Sequence, residues 1–135
     1  MMKKIAIVGS RRMSKYGKEV IDRLMPKLKN VEVVTIEVNG CNREVMKFPN
    51  IKVFKGDNFE KLNEEVANYA DCLVIIEGGK RSGTILLANN FVNKNKLVYC
   101  VPGSIVEENS YSPNWLISQG AIPIIDFDSL IPQED

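Results

Sequence analysis

Three short segments of the chain carry side chains suited to holding an anion. The first, Gly9-Ser10-Arg11-Arg12-Met13-Ser14-Lys15-Tyr16-Gly17, directly follows the apolar run Ile5 to Val8. Its arginines offer planar forks that match phosphate oxygens, and Ser10 and Ser14 offer hydroxyl donors. Gly9 lets a ligand come close to the backbone. The second segment, Glu77-Gly78-Gly79-Lys80-Arg81-Ser82-Gly83-Thr84, combines a glycine pair, two cations and a serine placed to cap a following helix. Amides exposed at such a helix start favour an anion. The third, Pro102-Gly103-Ser104 with the loop to Pro113, is on its own a simple turn. The first segment lacks the GxGxxG dinucleotide fingerprint, and the second lacks the closing Gly-Lys-Ser/Thr of a Walker A motif.

Two acids end apolar runs. Glu37 stands where a dinucleotide-binding carboxylate would hold ribose hydroxyls, without the glycine fingerprint that accompanies it. Glu77 can hold Arg81 or loop amides, or act as a general acid/base, and is the one catalytic candidate. Trp115 reads as packing, with base stacking by Tyr111 or Trp115 as the alternative. The chain has no histidine, which excludes Ser-His-Asp and Cys-His catalysis and any His-based metal site. Its three cysteines, Cys41, Cys72 and Cys100, show no CxxC spacing and read as reduced structural residues of a cytoplasmic protein. Neither a metal nor a cofactor is expected.

The elements that position these segments follow from hydropathy patterning. Ile5–Val8, Val31–Val38, Ile51–Phe54, Cys72–Ile76, Leu97–Val101 and Ile122–Ile125 read as strands, several of them continuous apolar runs of the kind buried on both faces. Between them, Gly17–Lys29, a segment capped by Asp57 or Asn58 and running to Tyr69, Gly83–Val92 and Ser112–Ser118 have helical character. In the second of these, Phe59, Leu62, Val66 and Tyr69 fall on one face. Cys41–Asn50 reads as a loop with at most one helical turn, and Asp128–Ile131 as a terminal turn. Strand and helix alternate, so the fold class is α/β: a Rossmann-like, doubly wound, mostly parallel sheet in three layers, spanning 1–135 as one domain. All three segments then leave the sheet at one edge, outside the carboxyl ends of the strands, where such folds bind ligands.

Bulk properties agree with this reading. A chain of 135 residues with 44% hydrophobic and 26% charged residues fits one globular domain. No apolar run approaches a membrane span, and the residues after Val8 are not those of a signal-peptide cleavage site. Net charge is +1, yet residues 1–30 carry nine Lys or Arg against two acids. That asymmetry suits a phosphate-bearing partner, and equally a solvated helix face.

These residues resemble the Rossmann domain of the DNA-processing protein A (DprA or Smf) family. The likeness begins at Ile7-Val8-Gly9-Ser10-Arg11, Ser14, Tyr16 and Gly17. It continues through Ala70-Asp71, Glu77, Ser82-Gly83-Thr84, Ala88, Val101-Pro102-Gly103, Ser110, Asn114, Leu116-Ile117 and Gly120-Ala121. It implies a cytoplasmic single-stranded DNA-binding protein that helps load recombinase, often as a homodimer. It adds Asn114 to the site candidates. The family's longer middle segment is missing between Val38 and Ile51, and Leu62-Asn63-Glu64 stand where the family has Arg-Asn-Arg. The same superfamily holds the LOG-type nucleotide phosphoribohydrolases, whose glutamate three residues after the threonine is Leu87 here. The leading reading is single-stranded DNA in recombination, the alternative is a small nucleotide bound by a regulatory module, and a third is a nucleotide phosphoribohydrolase using Glu77.

Overall fold

A computed structural model describes residues 3–130 of the chain. Six strands form one sheet: β1 (Lys3–Val8), β2 (Val31–Ile36), β3 (Ile51–Phe54), β4 (Cys72–Ile75), β5 (Leu97–Cys100) and β6 (Ile122–Pro123). Their order is β3-β2-β1-β4-β5-β6, and every pairing is parallel. The fold is thus the Rossmann-like α/β arrangement that the alternating pattern predicts.

Period-two alternation sorts the strand side chains into two cores. Ile5 and Ile7 of β1 join Val33, Cys72 and Val74 under helices α1 (Lys15–Leu24) and α2 (Cys41–Met46). Ala6 and Val8 join Val34, Leu73 and Ile75 beneath α3 (Phe59–Tyr69), α4 (Thr84–Asn93) and α5 (Tyr111–Ser118). Both faces of β1 and β4 are therefore covered, which is why these strands read as unbroken apolar runs. All three cysteines are buried free thiols in these cores.

Several boundaries differ from the sequence expectations, each for a local reason. The first helix ends as an α-helix at Leu24, and Met25–Lys27 tighten into a 3-10 turn that carries Pro26 near its start. Residues 41–46, expected as loop or a single helical turn, form helix α2. Its buried face includes Asn42 and Glu44 beside Cys41 and Val45, so hydropathy hides the period. Gly40 enters that helix at φ +85°, a conformation reserved for glycine. Helix α3 is capped by Asn58, whose side chain accepts from the Lys61 amide. Helix α4 begins at Thr84 with Gly83 as its capping position, so Ser82 stands one residue ahead of the cap expected for it. Its hydroxyl still accepts from the Thr84 amide at 3.2 Å. The final strand shortens to Ile122–Pro123. The terminal turn is present through Leu130, and Ile131 lies outside the described residues. Among the described residues, no helix is long and apolar enough to cross a membrane.

Candidate nucleic-acid interface

The strand order reverses direction between β1 and β4, and the chain leaves these two strands in opposite directions across the sheet. Such a switch point opens a crevice beyond the carboxyl ends of the strands. Here the crevice is a cavity of about 930 Å³. One wall is Gly9, Ser10, Arg11 and Arg12 from the β1–α1 loop. The facing wall is Gly79, Lys80, Arg81 and Ser82, with Gly83 and Thr84 at the start of α4.

The loop bearing the arginines is held at many points. The Gly9 amide donates to Asn42 Oδ1 at 2.9 Å, and Asn42 Nδ2 donates to the Ile36 carbonyl, tying the ends of β1 and β2 through α2. Ser10 Oγ accepts from the Arg12 amide at 3.0 Å and donates to Asn109 Oδ1 at 3.3 Å. Asn109 Nδ2 in turn donates to the Arg12 carbonyl at 2.6 Å, and its own carbonyl accepts from the Gly78 amide. Asn109 thereby stitches all three loops together. Against expectation, the Ser10 and Ser14 hydroxyls are engaged within the protein. Ser14 caps α1 by accepting from the Gly17 amide at 3.0 Å, and its hydroxyl proton goes to Glu77.

Charge in the crevice is unbalanced. Arg11, Arg12, Lys80 and Arg81 are exposed and, among the described residues, none makes an ion pair. Glu108 is the carboxylate on the lining. Arg11 instead lies over the ring of Phe59, 5.3 Å from its centroid, and Lys80 lies 5.7 Å from the ring centre of Tyr111. Cations stacked on rings keep their N–H groups free for an anion.

Of the candidates read from sequence, Gly9, Ser10, Arg11, Arg12, Gly79, Lys80, Arg81, Ser82, Gly83 and Thr84 line the cavity. Ser14, Glu77, Gly78, Pro102, Gly103 and Asn114 are absent from its lining. Glu77 is 2% exposed and accepts from the Ser14 amide at 2.7 Å, from Ser14 Oγ at 2.6 Å and from Cys41 Sγ at 3.4 Å. Its partner is thus a loop amide rather than Arg81. Gly103 is fixed by Asn114, whose side chain accepts from the Gly103 amide and donates to the Gly103 carbonyl. A side chain at Gly103 would run into Ser110, so this glycine answers to packing. Gly83, by contrast, faces open space. Glu37 is exposed, pairs with Lys55 at 3.6 Å and is off the lining, so the ribose-binding role has no geometry here.

The lining also holds Asn42, Phe59, Leu86, Asn109 and Val38, which carry no sequence signal for it, and Asn63, the Asn that stands in the place of the family's Arg-Asn-Arg. Phe59 is 48% exposed and stands at the first position of α3. Its apolar spacing assigns it to the core face, whereas the fold places it over the crevice with Asn63 one turn on. Among the described residues, no cluster of His, Cys, Asp or Glu could hold a metal ion.

Comparison with known proteins places this geometry in context. A family model described as DNA recombination-mediator protein A matches residues 42–134, which include the second and third loops and exclude the first. Protein Smf of Escherichia coli (strain K12) is 28% identical over 74 residues, which are 55% of this chain and 20% of Smf. DNA processing protein A from Streptococcus pneumoniae has a similar fold, with a TM-score of 0.82 at 20% identity, over 94% of this chain and 60% of that one. DNA processing protein A from Helicobacter pylori, described for its single-stranded DNA binding mode, gives a TM-score of 0.79 at 17% identity. That match covers 93% of this chain and 77% of the other. The chain therefore spans a fifth of Smf and three fifths of the S. pneumoniae protein.

Proposed function

The chain belongs to the DNA recombination-mediator protein A family, and from that premise we propose that its crevice binds single-stranded DNA through the phosphates. The observation that carries this reading is the convergence of Arg11, Arg12, Lys80 and Arg81 on one cavity without a carboxylate partner among the described residues. In this reading the arginine forks take phosphate oxygens in pairs, and Lys80 acts as a point charge. The start of α4, with Gly83 open to the cavity, adds amide donors for one further phosphate. Phe59, held beneath Arg11, supplies a ring on which one base stacks whatever its identity. Such contacts fix a strand in place without reading its sequence. Glu77, the catalytic candidate read from the sequence, is engaged by Ser14 and Cys41 and lies off the cavity lining. In this reading the crevice serves recombination by binding, and the work of loading a recombinase would follow from it.

A labelled oligothymidine titrated at low salt tests the reading by fluorescence anisotropy. Binding that weakens as salt rises is expected, and no binding at low salt would overturn it.

A cavity of this size also suits a mononucleotide. That second reading expects a thermal shift with one member of a nucleotide panel and weak binding to DNA. A ligand at 100 times its Kd adds about 2.7 kcal/mol of stability.

A further inference from the structure

Glu77 is the buried acid that the binding reading leaves unused. It lies just past the end of β4, after Ile76 and two residues ahead of Gly79, yet its carboxylate crosses to the other wall of the crevice. Every polar group that reaches it is a donor: the Ser14 amide, the Ser14 hydroxyl and the Cys41 thiol. The space it occupies is made for it. A side chain at Gly17 would overlap the Glu77 carboxylate, so the first turn of α1 is left bare where the acid lies against it. The positive end of α1 then faces a negative charge. Ser14 takes part in both arrangements, since it caps α1 and gives its proton to Glu77.

Burying a carboxylate beside a cationic crevice works against anion binding by charge alone. A position that carries such a liability has to return something, and the geometry shows what. Ser14 is the downstream anchor of the loop that begins at Gly9 and carries Arg11 and Arg12. The upstream anchor is Asn42 at Gly9, and Asn109 holds the middle. Asn109 bridges the same two loops from the third, whereas the Glu77 anchor runs directly from the β4 side to the β1 side and so helps set the position of one cationic wall relative to the other.

We infer that Glu77 is a positioning residue of the anion site: through Ser14 it holds the Arg11–Arg12 loop in register with the Lys80–Arg81 loop. The inference rests on the crevice being the binding site proposed above, and its test separates the two.

Charge and positioning give opposite signs for Glu77→Gln. If the acid is only a nearby negative charge, removing it strengthens oligothymidine binding. If it positions the loop, binding weakens roughly tenfold, the worth of one lost charge-assisted hydrogen bond. The salt slope then drops by up to about 1.4, two phosphates at about 0.7 each on a single strand. In an Arg11→Ala/Arg12→Ala background the same substitution should change affinity little, because its effect passes through those two residues. Stronger binding, or an equal loss in that background, overturns the proposal. Ser14→Ala, which keeps the carboxylate and removes one of its donors, should act in the same direction if Glu77→Gln fails to fold.

Amide hydrogen exchange reads the same device without any ligand. Faster exchange confined to residues 10–14 is expected in Glu77→Gln, and unchanged exchange there overturns the positioning role. Should the unaltered protein bind no oligothymidine, the binding reading falls while the exchange result still decides the role of Glu77.

Discussion

The guanidinium of Arg11 lies over the ring of Phe59, 5.3 Å from its centroid, although the two residues leave the sheet from different strands. If the crevice binds DNA as proposed, the contact joins a phosphate ligand and a stacking surface into one unit. Replacing Phe59 by Ala removes the ring and frees Arg11 to wander. Loss of a stacked base costs about 1–3 kcal/mol, at least about fivefold in Kd. Phe59→Trp should keep most of the affinity. Anisotropy titrations of both variants against oligothymidine decide the point, and equal affinity for Phe59→Ala would remove the stacking role.

The four free cations set a ceiling on salt dependence. Each phosphate neutralised on a single strand contributes about 0.7 to the slope of log K against log salt. With Arg11, Arg12, Lys80 and Arg81 engaged, the slope should be no steeper than about −3. Arg81→Ala should lower the slope by about 0.7 and weaken binding about tenfold at low salt. Titrations at several salt concentrations measure both, and a much steeper slope would place further phosphate contacts outside the crevice.

The fold and the charged lining of the candidate crevice were legible because their signals are local. Runs such as Ile5 to Val8 and Cys72 to Ile75 declare buried parallel strands, and the glycines with cations after them point to the loops that line the crevice. The neutral half was not legible. Asn42 and Asn109 belong to no motif, and each reaches the crevice only through the chain crossings, while Asn63 is the one residue kept of the family's Arg-Asn-Arg stretch. Phe59 matches the apolar spacing of α3, so periodicity alone sends it to the core. Helix α2 reads as no more than a single turn because half of its buried face is polar, Asn42 and Glu44 beside Cys41 and Val45. The third loop was grouped with the other two by its position at the sheet edge. Asn109 does join it to them, while Pro102 and Gly103 turn to Tyr16 and Asn114 instead.

That last pairing separates stability from binding. Asn114 makes two hydrogen bonds to Gly103, at 3.1 and 3.0 Å, and neither residue lines the cavity. Asn114→Ala should cost about 1–2 kcal/mol of stability in urea unfolding. Oligothymidine affinity of the folded variant should stay within about twofold, because each crevice contact survives. A large loss of affinity at full folding would bring the third loop into the binding site.

The cysteines supply a dependence on pH. Burial pushes the Cys72 thiol up to about 11 and the Cys100 thiol up to about 12, from an ordinary value of 9.0. Burial first, and then the neighbouring Glu77 charge, push the Cys41 thiol up as well. Below pH 9 all three are protonated in folded and unfolded chains alike, so the folded state loses nothing. Above pH 9 the unfolded chain releases protons that the folded chain retains, and stability falls. Each thiol contributes about 1.4 kcal/mol per pH unit in that window, which for Cys72 closes near 11 and for Cys100 near 12. Urea unfolding at pH 8 and pH 10 should show the loss, and a Cys100→Ala variant should show a shallower one. Thiol labelling at pH 8 should be slow in buffer and rapid in denaturant, because the folded chain holds all three thiols buried and uncharged. Rapid labelling of the folded protein would contradict the burial on which the pH dependence rests.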